Sequence, residues 1–140
     1  MKREIKFRIW CELNKKMYYE VELVKKDDGY WWAWENGLLL NGSESTRRFV
    51  MQYIELKDKN DKDIYEGDIV RVKNPHVRDF EDSNPTLRII QWFEEEARFS
   101  FYWLDGTKQG SGWSFCKNIL SDSEIIGNIY ENPKLLEATE

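Results

Sequence analysis

Residue types capable of chemistry are present in this chain, but their spacing does not assemble a known reaction. Histidine occurs once, at His76, in the stretch Pro75-His76-Val77-Arg78. Any nucleophilic site that relies on an imidazole to orient and deprotonate Ser or Cys must therefore include that one position. Gly110-Ser111-Gly112-Trp113-Ser114 lacks the Gly-x-Ser-x-Gly order of a nucleophile elbow. Gly106-Thr107-Lys108-Gln109-Gly110 lacks the Gly-Lys-Ser/Thr ending of a phosphate-binding loop. Glu94-Glu95-Glu96 could supply a carboxylate pair for glycoside hydrolysis, yet adjacent acids at a strand end read as a solvated turn. Asp58, Asn60, Asp61, Asp63, Glu66 and Asp68 suggest a calcium loop only until positions are counted. From Asp58, position 5 is Lys62, position 6 is Asp63 and position 12 is Ile69; from Asp61, position 6 is Glu66. Cys11 and Cys116 lie too far apart for a redox or metal-binding pair and read as free thiols, Cys116 as a small buried apolar residue. No catalytic residue, metal ligand set or cofactor is expected.

The aromatic content points elsewhere. Trp, Tyr and Phe each occur seven times. In Tyr30-Trp31-Trp32-Ala33-Trp34 the alternating sets 30/32/34 and 31/33 are both apolar, and Leu38-Leu39-Leu40 follows after Asn36-Gly37. A two-stranded ribbon cannot cover both of its own faces. One face can pack within the subunit; the other suits a second chain, because large apolar patches mark partners. Tyr30, Trp31, Trp32, Trp34, Leu38 and Leu40 are therefore the expected interaction surface of a homo-oligomer, a dimer or a multiple of dimers. The alternative is a small barrel that stacks nucleic-acid bases on these aromatics, with Lys2, Arg3, Lys6 and Arg8 supplying positive charge. A pI near 5.1 and the lack of one dominant basic stripe weigh against it. Residues 1–26 carry eight basic and four acidic groups, net +4, and residues 120–140 one and five, net −4. Two solvated surfaces account for that asymmetry, since exposed ion pairs contribute little.

Period-2 patterns position these residues. Ile5, Phe7 and Ile9 alternate with Lys6, Arg8 and Trp10, as in a strand with one buried face. Met17, Tyr19, Val21 and Leu23 alternate with Tyr18, Glu20, Glu22 and Val24, and Asp27-Asp28-Gly29 supplies a turn. Asn-Gly between the apolar runs 30–34 and 38–40 is a strong hairpin signal, because both central residues of a type I′ turn need positive φ. Further strands are expected over residues 49–56, 69–73, 87–93, 98–104, 112–116 and 125–130, with Ile64-Tyr65 leading into Glu66-Gly67-Asp68. Gly67 permits a tight turn, and Asp68 can accept backbone N–H bonds before its strand begins. Asp105-Gly106 is a turn, Gly127 marks a bulge, and Asn132-Pro133 offers an N-cap and first-turn proline for a short helix over 134–138. Residues 74–85, with two prolines and mixed charge, form the expected exposed mobile loop.

The chain has 140 residues and a net charge of −5, enough to bury about two-thirds of its unfolded surface without metal or disulfides. No apolar run approaches the roughly 18 residues of a membrane span, and residues 1–4 carry no apolar signal core. The expectation is a cytoplasmic protein with no membrane partner. Tight turns favour antiparallel pairing. The expected fold is all-β: a small SH3-like barrel over residues 49–140 and an added β-hairpin layer over residues 1–48, or one continuous domain.

Four ordered blocks resemble the YopX family of phage and prophage proteins: Arg3-Glu4-Ile5-Lys6-Phe7-Arg8-Ile9-Trp10; Val50-Met51-Gln52-Tyr53 through Leu56-Lys57-Asp58-Lys59-Asn60; Ile64-Tyr65-Glu66-Gly67-Asp68-Ile69-Val70; and Ile126-Gly127-Asn128-Ile129-Tyr130-Glu131-Asn132-Pro133. Together they span the chain. The family often has a small residue where Ile9 stands and a glycine where Asp61 stands, so here Asn60-Asp61 must turn with less permissive chemistry. The resemblance implies a small cytoplasmic β protein of phage or prophage origin, with an unknown phage or host protein as a further partner. It implies no established activity and carries no site residue across.

Overall fold

The structure, a computed structural model, describes residues 2–25, 27, 31–35, 38–39, 48–72, 86–106 and 117–137. The expected strand over 112–116 and the expected loop over 74–85 lie outside them, as do His76 and Cys116. The fold is predominantly antiparallel β, with an SH3-like arrangement plus extra strands. Among the described residues the strands are β1 (Phe7–Cys11), β2 (Lys16–Lys25), β3 (Trp31–Glu35), β4 (Leu38–Leu39), β5 (Arg48–Lys57), β6 (Asp63–Tyr65), β7 (Asp68–Val72), β8 (Thr86–Phe93), β9 (Arg98–Tyr102) and β10 (Glu124–Asn128). They form one sheet in the order β4-β3-β2-β1-β5-β6 and another in the order β10-β7-β8-β9. The chain divides into two compact units, Met1–Tyr53 and Ile54–Glu140, with β5 running from one into the other.

In the first unit β1 pairs with β2 on one side and with β5 on the other. Its register to β2 slips between Phe7↔Val21 and Ile9↔Tyr18. An extra residue in β2 reverses the alternation there. Tyr18 therefore joins the cluster of Ile9 and Val21, with Phe7 and Leu23 packed alongside, while Tyr19 is exposed. This corrects the strict alternation expected of Met17–Leu23. A second correction concerns β1 itself. Arg8 and Trp10, expected on a solvent face, are 3% and 4% exposed. Both faces of β1 are thus buried, which period-2 reasoning with one polar face does not anticipate.

The second unit has a continuous core of Ile54, Ile64, Val70, Val72, Ile90, Phe101 and Leu120, against which Leu56, Phe99, Ile119 and Ile125 pack. Leu120 comes from a single helical turn, α1 (Lys117–Ser121), that the sequence patterns did not indicate; five residues are too few for a 3.6-residue period to show. Gly67 has φ +85° and its N–H donates to the Ile90 carbonyl at 2.7 Å, so the tight entry into β7 is as expected. The β10 bulge falls at Gly127, where the register to β7 shifts. The closing helix is a 3-10 run, Pro133–Glu137, rather than an α-helix. Asn132 does not turn forward as its cap: its Oδ1 accepts the Asn128 N–H at 3.1 Å.

Candidate interaction surface

Two members of the polar run over residues 58–68, Asp58 and Asp68, fasten turns. Asp58 is buried, and its Oδ1 accepts the N–H groups of Asn60 (2.8 Å) and Lys62 (3.0 Å). Its Oδ2 accepts the N–H of Ile125 at 3.0 Å, joining segments 67 residues apart. Asp68, also buried, accepts the Tyr65 N–H at 2.8 Å. Asp61 adopts φ +62° and carries the left-handed turn in place of a glycine. At the other end of the unit, Asn128 Oδ1 accepts N–H bonds from Tyr130 and Glu131 at 3.0 and 2.8 Å. These oxygens already satisfy backbone donors, so the geometry makes turns and not a cation cage. Among the described residues no group of three or more His, Cys, Asp or Glu is placed to hold a metal. Glu94, Glu95 and Glu96 form an exposed 3-10 turn closed by Ala97 at φ +50°.

Two polar side chains have surroundings that the sequence did not indicate, one of them the expected free thiol of Cys11. Cys11 is a buried free thiol. Burial pushes its pKa up, but the backbone of Asn14, the Arg48 side chain and the backbone of Leu13 outweigh that and hold it below the ordinary value. Arg88 is buried, lies 3.6 Å over the Trp103 ring, and has its pKa lowered to about 10 by desolvation. Trp92 meets Phe99 edge-on at 5.1 Å. The exposed rings Trp92 and Trp103 are not neighbours. Ile90 and Phe101, which are buried, stand between them in the β8–β9 register, so they do not make one stacking platform. No spacing signal in the sequence separates these two tryptophans from the rest.

The structure places Trp31, Trp32 and Trp34 in β3 and Leu38 in β4, while Tyr30 and Leu40 lie outside the described residues. β3 pairs with β2 in the register Trp31↔Lys25, Trp32↔Val24, Ala33↔Leu23 and Trp34↔Glu22. Glu35↔Leu38 and Trp34↔Leu39 close the expected hairpin across Asn36-Gly37. Elsewhere in this unit Ile5, Leu13, Tyr19, Val24, Phe49 and Val50 are exposed apolar residues, Leu13 at 65% and Val50 at 49%. Of the basic residues of the nucleic-acid alternative, one is withdrawn from the surface. Lys2 and Arg3 are exposed ahead of β1. Lys6 donates to Glu4 at 3.1 Å and lies 4.5 Å over the Tyr53 ring. Arg8 is buried and offers no surface charge to a phosphate.

Among the described residues no helix is long and apolar enough to cross a membrane. No curated protein matches this chain. A crystal structure of protein EF1440 from Enterococcus faecalis is similar at 27% identity and TM-score 0.64, over 96% of this chain and 99% of that one. The X-ray structure of protein yopX from Bacillus subtilis shares the fold at 20% identity and TM-score 0.53, over 93% and 96% of the two chains. The model of the YopX protein family matches residues 6–137, nearly the whole sequence, and the chain belongs to the YopX family.

Proposed function

We propose that this protein is a non-enzymatic phage or prophage accessory protein of the bacterial cytoplasm, acting through protein–protein contacts as a homo-oligomer. One observation carries the reading: buried Asp58, Asp68 and Asn128 are engaged with backbone N–H groups, whereas the first unit presents apolar side chains to solvent. Function then resides in surface complementarity. Trp, Tyr and Phe suit it, since each can remove about 150–250 Å² from water. The test is size exclusion coupled to light scattering, with mobility shifts of labelled DNA and RNA alongside. A mass at least twice 16.9 kDa and no nucleic-acid shift support the reading. A 16.9 kDa species with saturable, steeply salt-dependent nucleic-acid binding would replace it with the stacking barrel.

A further inference from the structure

Directly opposed residues of antiparallel strands share a sheet face. The β1 registers to β2 and β5 therefore set three rows side by side on one face of the first unit: Val21, Phe7 and Gln52; Tyr18, Ile9 and Val50; Lys16, Cys11 and Arg48. Ile9, Cys11 and Val21 are buried, whereas Val50 is 49% exposed. Tyr18 is half-buried, with Lys16 Nζ 4.8 Å from its ring centre. Lys16 is exposed and Arg48 half-buried, so these nine positions hold two cations and no acid. Leu13, three residues before Lys16 in the joining turn, is 65% exposed. The second unit carries the opposite chemistry. Trp92 is 44% exposed, with Phe99 edge-on to it at 5.1 Å, and the exposed Glu94, Glu95 and Glu96 follow. Arg98 neutralises one of these acids, donating to Glu96 at 2.5 Å.

We infer that the face bearing Lys16, Val50 and Arg48 binds residues 92–96 of a second copy of this chain, a contact that rests on the homo-oligomer reading above. Charge selects the pairing. Residues 1–53 hold ten basic and eight acidic side chains, net +2, and residues 54–140 eleven and eighteen, net −7. First unit on first unit and second on second both repel; only first on second attracts. The spacing also matches. Neighbouring rows on a strand face lie about 6.5–7 Å apart, two residues along the strand. Trp92 and Glu94 are likewise two residues apart, at most about 7 Å. A Trp92 ring seated on Val50 and Tyr18 thus leaves Glu94 and Glu95 within reach of Lys16 and Arg48. Ring burial supplies the affinity, and the ion pairs fix partner and orientation.

The experiment measures mass by light scattering on the full chain: wild type, Val50→Glu, and the double variant Glu94→Lys/Glu95→Lys, with circular dichroism to verify the β fold. Where Val50→Glu fails to fold, Lys16→Glu, a change at an exposed side chain, takes its place. Expected are a wild-type mass at least twice 16.9 kDa and a fall to 16.9 kDa in each variant alone. An equimolar mixture of the two variants should regain a species of at least twice 16.9 kDa, because the intact acidic turn of one meets the intact basic face of the other. If the wild type is oligomeric but the double variant keeps its mass, or the mixture stays at 16.9 kDa, this contact is overturned and self-association stands. Loss of mass confined to Val50→Glu would assign the face to its own counterpart in the second copy. A wild-type mass of 16.9 kDa at micromolar concentration overturns both the contact and the homo-oligomer.

Discussion

Among the described residues, buried Asp58, Asp68 and Asn128 accept bonds from the second unit's own backbone, whereas six of the eight exposed large apolar side chains belong to the first unit. Asp58, Asp68 and Asn128 close turns in Ile54–Glu140 around a continuous apolar core. In Met1–Tyr53 the described cluster is centred on Ile9 and Val21, while Ile5, Leu13 and Val50 remain in contact with water. The difference separates two uses of the same strand chemistry. Where side chains saturate the backbone, little is left for a ligand; where a sheet shows apolar residues to solvent, association offers further burial.

Substitutions in the second unit should therefore cost folding stability, and the largest loss should follow removal of a core ring. Phe101→Ala is expected to destabilise by about 4 kcal/mol in urea unfolding, because the ring is fully buried and leaves a cavity. Asp58→Ala should cost about 3 kcal/mol by orphaning three backbone donors, one of them 67 residues away. A loss below about 1 kcal/mol would make Asp58 available for another role. Gly127→Ala should cost about 2 kcal/mol, since a Cβ there would stand 2.5 Å from Asn132 Oδ1. In an Asn132→Ala background that cost should fall without vanishing, since the Cβ of residue 132 stays 3.0 Å away, and a double-mutant cycle measures the coupling. Asp61→Gly should raise stability by about 0.5–1 kcal/mol, because glycine takes φ +62° without a Cβ clash. The Lys57–Asp61 ion pair lost with it is exposed, at 3.8 Å, and weighs little.

The same contrast marks what the sequence made legible. Features set by neighbours within a few residues were readable: the β3–β4 hairpin, the Gly67 turn with its Asp68 acceptor and the Gly127 bulge. Each follows from the conformational freedom or hydrogen-bonding reach of one residue. Features set by distant packing were not. The Asp58–Ile125 bond joins segments whose proximity no local pattern encodes. Arg8 was placed on a solvent face because the alternation assumes one buried side, and tertiary packing covers both. Asn132 has the composition of a helix cap, yet the nearer Asn128 N–H takes its oxygen.

Hydrogen exchange measured across a range of protein concentrations tests the contrast most directly. Protection of the amides of residues 12–16, in the β1–β2 turn, and of Glu94–Glu96 should rise as concentration passes through the self-association range, while that of Asp68–Val72 and Glu124–Asn128 stays constant. Exchange in those two turns that is independent of concentration, or a concentration-dependent change confined to the second unit, would contradict the account.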